Sequence, residues 1–158
     1  MFGSRTEAQT HPQDLVTVFF GANDAALPDR TAFKQHIPLP EYRQNLTEIV
    51  TKLRAARFRH IVLISPPPVS EPHRIAYARA VYGVELKQSE RTLEAAGSYA
   101  SSCVSLAQEL GPDVIYVDLW TGFQTVQDWQ ETLLNDGLHL TAAGNVCFFS
   151  SSYPFPHL

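Results

Sequence analysis

Three short apolar runs along the chain predict the strands of one sheet. They extend from Leu15 to Phe20, from His60 to Ser65 and from Val114 to Leu119. The runs are nearly continuous rather than alternating, which is typical of strands buried on both faces of a parallel sheet. We therefore expect the first run, which contains no charged residue, to be covered on both faces.

Between these runs, apolar residues recur at the spacing of amphipathic helices. The first predicted helix starts near Pro40, a residue suited to the first helical turn. Its apolar stripe consists of Tyr42, Leu46, Ile49, Val50 and Leu53. A second helix is predicted from Ser89 to Leu110, where Gly111 and Pro112 end it. Its inward stripe consists of Leu93, Ala96, Ala100, Val104 and Ala107.

Two shorter segments are also compatible with helices. Residues 71–83 include Tyr77 and Tyr82 and fit a flap over a binding pocket as well as a packed surface helix. Near the end of the chain, the apolar residues 146–149 are followed by serines and prolines. Any closing helix should therefore end within about two turns.

The alternation of strands and helices predicts the fold class. Long crossovers between consecutive strands indicate parallel pairing, and the helices then cover both faces of the sheet. We expect an α/β fold, a doubly wound three-layer α/β/α sandwich. No repeat or domain boundary interrupts the pattern, so residues 1–158 are predicted to form a single domain.

Composition and charge narrow the range of partners. The chain has 158 residues, 44% hydrophobic and 18% charged, as expected for one globular domain. A formal net charge of −4 argues against nucleic acid or an anionic membrane as the main partner. Residues 1–10 lack the apolar core of a secretory signal, and no apolar run approaches the ~18 residues that span a bilayer. Cys103 and Cys147 are too few and too scattered for a disulfide framework or a zinc site, so reduced thiols in the cytoplasm are the simplest interpretation.

The first candidate site residues follow the first strand directly. Gly21 permits a sharp turn, because glycine alone adopts positive φ without a steric penalty. Asn23 and Asp24 then lie on the loop at the carboxyl end of the strand, which is the edge where ligands bind in open α/β sheets. By themselves these residues fit an ordinary turn better than a site, because Asn and Asp are favoured turn and helix-cap residues.

The second candidate lies near the other end of the chain. Asp136 and His139 are three residues apart and can meet across one tight turn. A carboxylate bound to one ring nitrogen of a histidine fixes the tautomer and leaves the other nitrogen available as a general base. A lone Asp-x-x-His can occur by chance. The motif indicates a site only in combination with the upstream motif at residues 21–24.

Together, in this order and about 110 residues apart, the two motifs resemble those of the SGNH or GDSL-type ester hydrolases. The chain is most similar to the isoamyl acetate-hydrolysing esterase branch, with close matches at residues 19–24, 66–68 and 136–140. The resemblance implies a parallel flavodoxin-like sheet, of which this chain holds the family's third, fourth and fifth strands. It also implies hydrolysis of small acyl esters, such as acetates, by Ser-His-Asp acyl transfer, without a metal or cofactor.

The resemblance also implies roles for individual residues. Asn23 matches the asparagine of the oxyanion hole, and Gly21 and Asp24 form its supporting turn. Asp136 matches the carboxylate that orients the base, and His139 matches the base itself.

Other parts of the family pattern have no counterpart here. The nucleophilic serine of the Gly-Asp-Ser block and the glycine of the second block are both missing from the sequence. The resemblance covers residues 13–145, and residues 146–158 form a divergent tail. We therefore expect an N-terminally truncated ester hydrolase domain that is inactive as written.

Two other serines and one histidine deserve comparison with the family pattern. Ser4 lies in a segment that weakly resembles the nucleophile turn. No predicted strand precedes it, and too few residues separate it from the first strand for a parallel crossover. Ser65 ends a strand without the flanking glycine of a nucleophile elbow, which favours a capping or lining role. His36 follows the Asn23 loop and is expected to be a solvated loop residue rather than a pocket residue.

Two rival interpretations are compatible with an incomplete fold of this kind. One is a non-catalytic interaction module or pseudoenzyme fragment. Without the strand that the family places beside it, the run from Leu15 to Phe20 becomes an apolar edge and a possible surface for self-association. The other, a phosphate-receiver or nucleotide-binding domain, is disfavoured because the sequence has no glycine-rich phosphate loop.

Overall fold

The structure is a computed structural model that describes residues 15–149. Its sheet consists of strands β1 (Leu15–Phe19), β2 (His60–Ile64) and β3 (Val114–Val117). The order is β1-β2-β3 and both pairs are parallel. In register, Leu15 lies opposite His60 and Ile61 lies opposite Val114. The predicted strands and their parallel pairing are confirmed.

Helices connect and follow these strands. They are α1 (Leu39–Ala55), α2 (Glu71–Tyr82), α3 (Leu93–Leu110), α4 (Leu119–Gln124), α5 (Trp129–Thr132) and α6 (Ala142–Phe149). A short 3-10 helix, Phe33–Gln35, lies in the loop between β1 and α1. The predicted helix near the carboxyl end is present up to Phe149, and the rest of the tail, with the serines and prolines expected to end it, lies outside the described residues. Within residues 15–149, no helix combines the length and the apolar character needed to cross a membrane.

The strand β2 has a hydrophobic core on each face, because successive side chains point to opposite sides of a strand. Ile61 and Leu63 pack against α1 and α3 on one face. Val62 and Ile64 pack on the other face against residues of α4, α5 and the segment that follows. The predicted three-layer α/β/α arrangement is therefore confirmed.

The predicted stripe of α1 forms its contact with the sheet. Tyr42, Leu46 and Val50 are buried there, and Ile49 and Leu53 pack at the margin. The helix begins beside Pro38 and carries Pro40 in its first turn, as the sequence indicates.

The start of α3 differs from the prediction. The helix begins at Leu93 rather than Ser89, because Thr92 is its N-cap and accepts a 3.0 Å hydrogen bond from the backbone N–H of Ala95. Residues 89–91 precede the helix as a loop with buried polar side chains. Apolar periodicity does not reveal this boundary, because the hydroxyl of one polar residue, Thr92, sets it.

The expectation that β1 is buried on both faces is wrong for the described structure. Val18 is buried and Val16 is partly buried against α1 and α3, whereas Leu15 and Phe19 on the opposite face are 40% and 42% exposed. β1 lies at the edge of the described sheet. The helices that cover this face pack on β2 and β3 and leave these β1 side chains exposed.

The end of β3 is also earlier than predicted. Asp118 leaves the strand and caps α4, accepting a 3.0 Å hydrogen bond from the N–H of Thr121. Ser65 is fully buried, and its Oγ accepts hydrogen bonds from the N–H groups of Leu119 at 2.9 Å and Trp120 at 3.2 Å. The predicted capping role of Ser65 is confirmed.

Candidate active site

The Asp136–His139 pair is formed within one turn at the carboxyl edge of the sheet. Oδ2 of Asp136 lies 2.9 Å from Nδ1 of His139. Oδ1 accepts from the backbone N–H of His139 at 2.8 Å and of Leu138 at 3.0 Å. Asp136 therefore fixes both the backbone and the imidazole of His139, and the contact predicted from the i,i+3 spacing is confirmed.

Gly137 makes this turn possible. Its φ is +84°, and a Cβ at this position would lie 2.5 Å from the carbonyl oxygen of Ser70. The Gly137 carbonyl also accepts a 2.9 Å hydrogen bond from the N–H of Ser70. Any larger residue would move the turn away from the start of α2 and displace Asp136 and His139 with it.

The two members of the pair have opposite exposure. The Asp136 side chain is 3% exposed, whereas the His139 side chain is 75% exposed. Burial by itself raises the pKa of Asp136, but the hydrogen bonds from His139 and Leu138 and the positive charge of Arg74 outweigh it and lower the pKa below its usual range. The carboxylate is thus charged at neutral pH, holds a proton on Nδ1 and leaves Nε2 of His139 available to solvent or substrate.

The Gly21 loop is the second part of the site. Gly21 has a φ of +117°, and a Cβ there would lie 2.9 Å from the hydroxyl oxygen of Tyr42. The N–H of Ala25 donates to the Gly21 carbonyl at 3.0 Å, and the N–H of Ile37 donates to the Asp24 carbonyl at 3.2 Å. The sharp turn predicted at Gly21 is confirmed, and the exposed Asn23 lies at its tip.

Asn23 and His139 line the same cavity, of about 550 Å³. The two motifs are therefore on the same edge of the sheet, as the family resemblance requires. The remaining lining residues are Thr31, Ala32, Gln35, Arg74, Ala78, Tyr82, Val84, Leu86, Glu90, Arg91 and Leu138. Across residues 15–149, no group of three or more His, Cys, Asp or Glu side chains is placed to hold a metal ion.

Three charged residues at the cavity were not found by sequence reasoning. Arg74 donates to Asp136 Oδ2 at 2.7 Å, and Glu90 and Arg91 are both buried behind Asn23. Arg74 lies on a helix of weak amphipathic pattern, and Glu90 and Arg91 precede α3 in a segment that periodicity assigned to the helix. Pairs of charges far apart in sequence leave no spacing signal that could have revealed them.

Other candidates fall outside this arrangement. His36 does not line the cavity and instead braces the loop, with Nδ1 2.7 Å from the carbonyl oxygen of Ala26. Ser4 lies outside the described residues. Ser70 is 2.6 Å from Nδ1 of His73, a pair that sequence reasoning missed, but it is buried and lines a different cavity.

Comparison with known proteins identifies the family. A sequence profile of the family described as GDSL-like Lipase/Acylhydrolase matches residues 3–151. The chain belongs to this family. The membership expected from the Gly21 and Asp136 motifs is therefore confirmed.

Relatives within the family carry esterase names. The chain is 48% identical over 140 residues to a GDSL esterase/lipase of Arabidopsis thaliana, covering 87% of this chain and 57% of that protein. It is 41% identical over 143 residues to the isoamyl acetate-hydrolyzing esterase 1 homolog of Homo sapiens, covering 88% and 54%. The chain thus spans about half the length of the curated relatives it matches.

A solved structure shares the fold. The lipase/acylhydrolase from Enterococcus faecalis superposes with a TM-score of 0.63 at 23% identity, covering 86% of this chain and 57% of that chain. At this identity the likeness concerns the fold, and it agrees with the predicted sandwich.

Proposed function

We propose that this chain supplies the acid-base pair and an oxyanion donor of a carboxylic ester hydrolase that acts on small acyl esters. The observation that carries the proposal is the Asp136–His139 pair, with an exposed imidazole that shares a cavity with Asn23. Buried carboxylate, exposed base and nearby amide donor are the groups that acyl transfer to a serine requires.

Each group has a defined step in this chemistry. Nε2 of His139 takes the proton of a serine hydroxyl as the serine oxygen attacks the ester carbonyl carbon. The Nδ2–H of Asn23 donates to the carbonyl oxygen as it becomes an oxyanion. His139 then returns its proton to the departing alcohol oxygen, and water repeats the sequence on the acyl-serine to release the acid. Asp136 stays charged and stabilises the imidazolium formed in both halves.

The cavity also has an apolar wall that suits the hydrocarbon part of an ester. Ala78 and Tyr82 belong to the C-terminal half of α2, and Val84 and Leu86 follow it. This position supports the interpretation of α2 as a flap over the pocket. The name of the human relative, which refers to isoamyl acetate, supports a small acyl group with an aliphatic alcohol.

The nucleophile has to come from outside the described residues. Within residues 15–149, no serine lines the cavity that contains Asn23 and His139. We expect the 158-residue chain to be inactive by itself and to become active when a Gly-Asp-Ser segment is added.

A fusion tests the proposal. A segment with the Gly-Asp-Ser and second blocks that the family resemblance implies is placed ahead of Gln13, and hydrolysis of p-nitrophenyl acetate is measured. The fusion should be active, and the unfused chain should hydrolyse no faster than its His139→Ala variant. In the fusion, His139→Ala should lower the rate by ~10²–10⁴-fold, because a general base contributes that much.

The matched control is His73→Ala, which removes an imidazole from the neighbouring cavity and should change the rate little. A fusion that folds cooperatively but lacks activity would contradict the proposal. So would activity of the unfused chain that depends on Ser70 or Ser65.

The rival is a non-catalytic interaction module or pseudoenzyme fragment of the same fold. The exposed apolar face of β1, with Leu15 and Phe19, favours it because such an edge can pair with another chain. A fusion protein that is monodisperse and folded but inactive would support this alternative. A cytoplasmic location, suggested by the presence of only two cysteines, Cys103 and Cys147, is part of either proposal.

A further inference from the structure

A buried row of side chains with alternating charges lies behind the cavity. It consists of Arg91, Glu90, Arg74 and Asp136, whose side chains are 4%, 6%, 12% and 3% exposed. Burying charges is costly unless each is paired and its remaining hydrogen-bonding atoms are filled. The contacts of the four side chains show how each charge is paired.

Glu90 joins the two arginines. Its Oε1 accepts from Nη2 of Arg74 at 2.6 Å, from Nε of Arg74 at 2.9 Å and from Nη1 of Arg91 at 2.9 Å. Both guanidinium groups are thereby held against one carboxylate oxygen. The relative position of the two arginines is fixed by this contact.

The two ends of this row of charged side chains contact the two halves of the candidate site. At one end, Nη1 of Arg74 donates to Oδ2 of Asp136 at 2.7 Å. At the other, Arg91 donates from Nε to the Ala22 carbonyl at 2.9 Å and from Nη2 to Oδ1 of Asn23 at 3.2 Å. Nη2 of Arg91 also bonds to Oε1 of Gln35. One continuous path of hydrogen bonds therefore connects Asn23 with Asp136 and His139.

The contact with Arg91 decides which way the Asn23 amide faces. A guanidinium is a donor only, so it selects the amide oxygen of Asn23 and turns Nδ2 away. Within residues 15–149, Nδ2 of Asn23 makes no hydrogen bond, and Asn23 lines the cavity. The amide N–H groups are therefore left for a ligand in the cavity.

We propose that Arg91, held by Glu90 and Arg74, is a positioning residue that orients the Asn23 amide toward the oxyanion and fixes its distance from His139. The inference rests on the proposed function in treating Asn23 as the oxyanion donor. Preorganised donors lower the barrier because they need no reorientation when the charge develops. The planar fork of arginine holds the Ala22 carbonyl and the Asn23 oxygen together, which the single ammonium of lysine cannot do.

The first test observes the amide directly and needs no catalysis. The 158-residue chain with Phe20→Lys, a substitution that opposes association through the exposed edge of β1, is labelled with ¹⁵N-asparagine and compared with the same chain carrying Arg91→Lys, which keeps the charge. The Asn23 side-chain signals should move, and their heteronuclear NOE should fall toward that of the exposed Asn45. The matched control is Arg54→Lys, because Arg54 forms a similar fork on Asp113 at 2.7 and 2.8 Å, away from the cavity. Unchanged Asn23 signals in Arg91→Lys would overturn the inference.

A second variant tests the same contact at low protein concentration. Asn23→Asp places a carboxylate oxygen against Arg91, and a charge-assisted hydrogen bond is stronger than a neutral one. The thermal midpoint should therefore stay equal or rise. A fall of several degrees would mean that Arg91 does not face the Asn23 oxygen.

The kinetic test uses the fusion described above. Arg91→Lys should lower kcat by ~10–100-fold with little change in KM, since a misaligned donor loses part of the ~10²–10³-fold effect of one oxyanion donor. Arg54→Lys should leave both constants unchanged. An effect confined to KM, or none at all while the Asn23 signals move, would refute the catalytic part of the inference. A fusion that is inactive without any substitution would refute the proposed function, and the NMR comparison would still decide whether Arg91 holds Asn23.

Discussion

At the residue scale, Asp136 is the most constrained group of the candidate site. Its Oδ1 takes the two backbone N–H groups of Leu138 and His139, and its Oδ2 takes the imidazole of His139 and the guanidinium of Arg74. All of these donors favour the charged carboxylate over the protonated form. The residue therefore links the stability of the fold to the state of the site.

The first prediction concerns the stability of the protein in acid. The pKa values of Asp136 and Glu90 are lowered in the folded protein although burial raises them, because hydrogen bonds and arginine charges prevail. The unfolded chain then takes up these protons first. The free energy of unfolding should be retained above the ordinary values of 3.8 for Asp136 and 4.5 for Glu90, and should decrease as the pH falls below them.

Urea unfolding at a series of pH values measures this dependence. In Asp136→Asn the slope with pH should be shallower below about pH 4.5, since one linked group is gone. Asp29→Asn is the control, because the Asp29 side chain is 72% exposed. An equal slope in the original chain and in Asp136→Asn would contradict the prediction.

At the scale of elements, β1 is the part of the fold that is least covered. Val18 anchors it on the face of α1 and α3, whereas the opposite face carries exposed apolar side chains, and Phe20 just beyond the strand is 57% exposed. Parallel strands normally occur with both faces protected. In the described structure, β1 is therefore an exposed apolar edge strand that can pair with another molecule.

The second prediction follows from this edge. The purified chain should self-associate and bind a hydrophobic dye, and Phe20→Lys should reduce both effects because a charged residue at an edge opposes intermolecular pairing. Phe33→Lys is the matched control, since Phe33 is 55% exposed in the 3-10 helix. Sedimentation velocity gives the oligomeric state. A monomeric profile with a cooperative melt in the original chain would show that the edge is protected.

At the scale of the whole molecule, the cavity is assembled from segments far apart in the sequence. Asn23 comes from the loop after β1, Tyr82 from the end of α2 and His139 from the turn before α6. The polar groups and the apolar wall lie on different segments. The chemistry and the substrate preference should therefore respond to different substitutions.

The third prediction separates these two properties in the active fusion. Val84→Asp should raise KM for isoamyl acetate by ~10-fold or more relative to methyl acetate, because loss of apolar contact with an alkyl group weakens binding by that order. The effect on kcat should be small. Val81→Asp is the control, since Val81 is 54% exposed and does not line the cavity. Equal effects on the two esters would mean that the wall does not contact the alcohol group.

The sequence by itself determined the features that depend on local spacing. Continuous apolar runs predicted the strands, the helical period of apolar residues predicted the face of α1, and the i,i+3 spacing of Asp136 and His139 predicted their contact. Gly21 likewise marked a turn with positive φ. These features are decided within one strand, helix or turn, so neighbouring residues in the chain contain the information.

Only the tertiary structure decided the features that depend on distant partners. The exposure of one face of β1 depends on which helices reach the edge of the sheet, and the early end of β3 depends on Asp118 and Ser65, which cap α4. The path from Arg91 through Glu90 to Arg74 joins segments that periodicity treats as separate. The physical reason is that a buried charge is specified by the partner that neutralises it, and that partner becomes known only when the chain is packed.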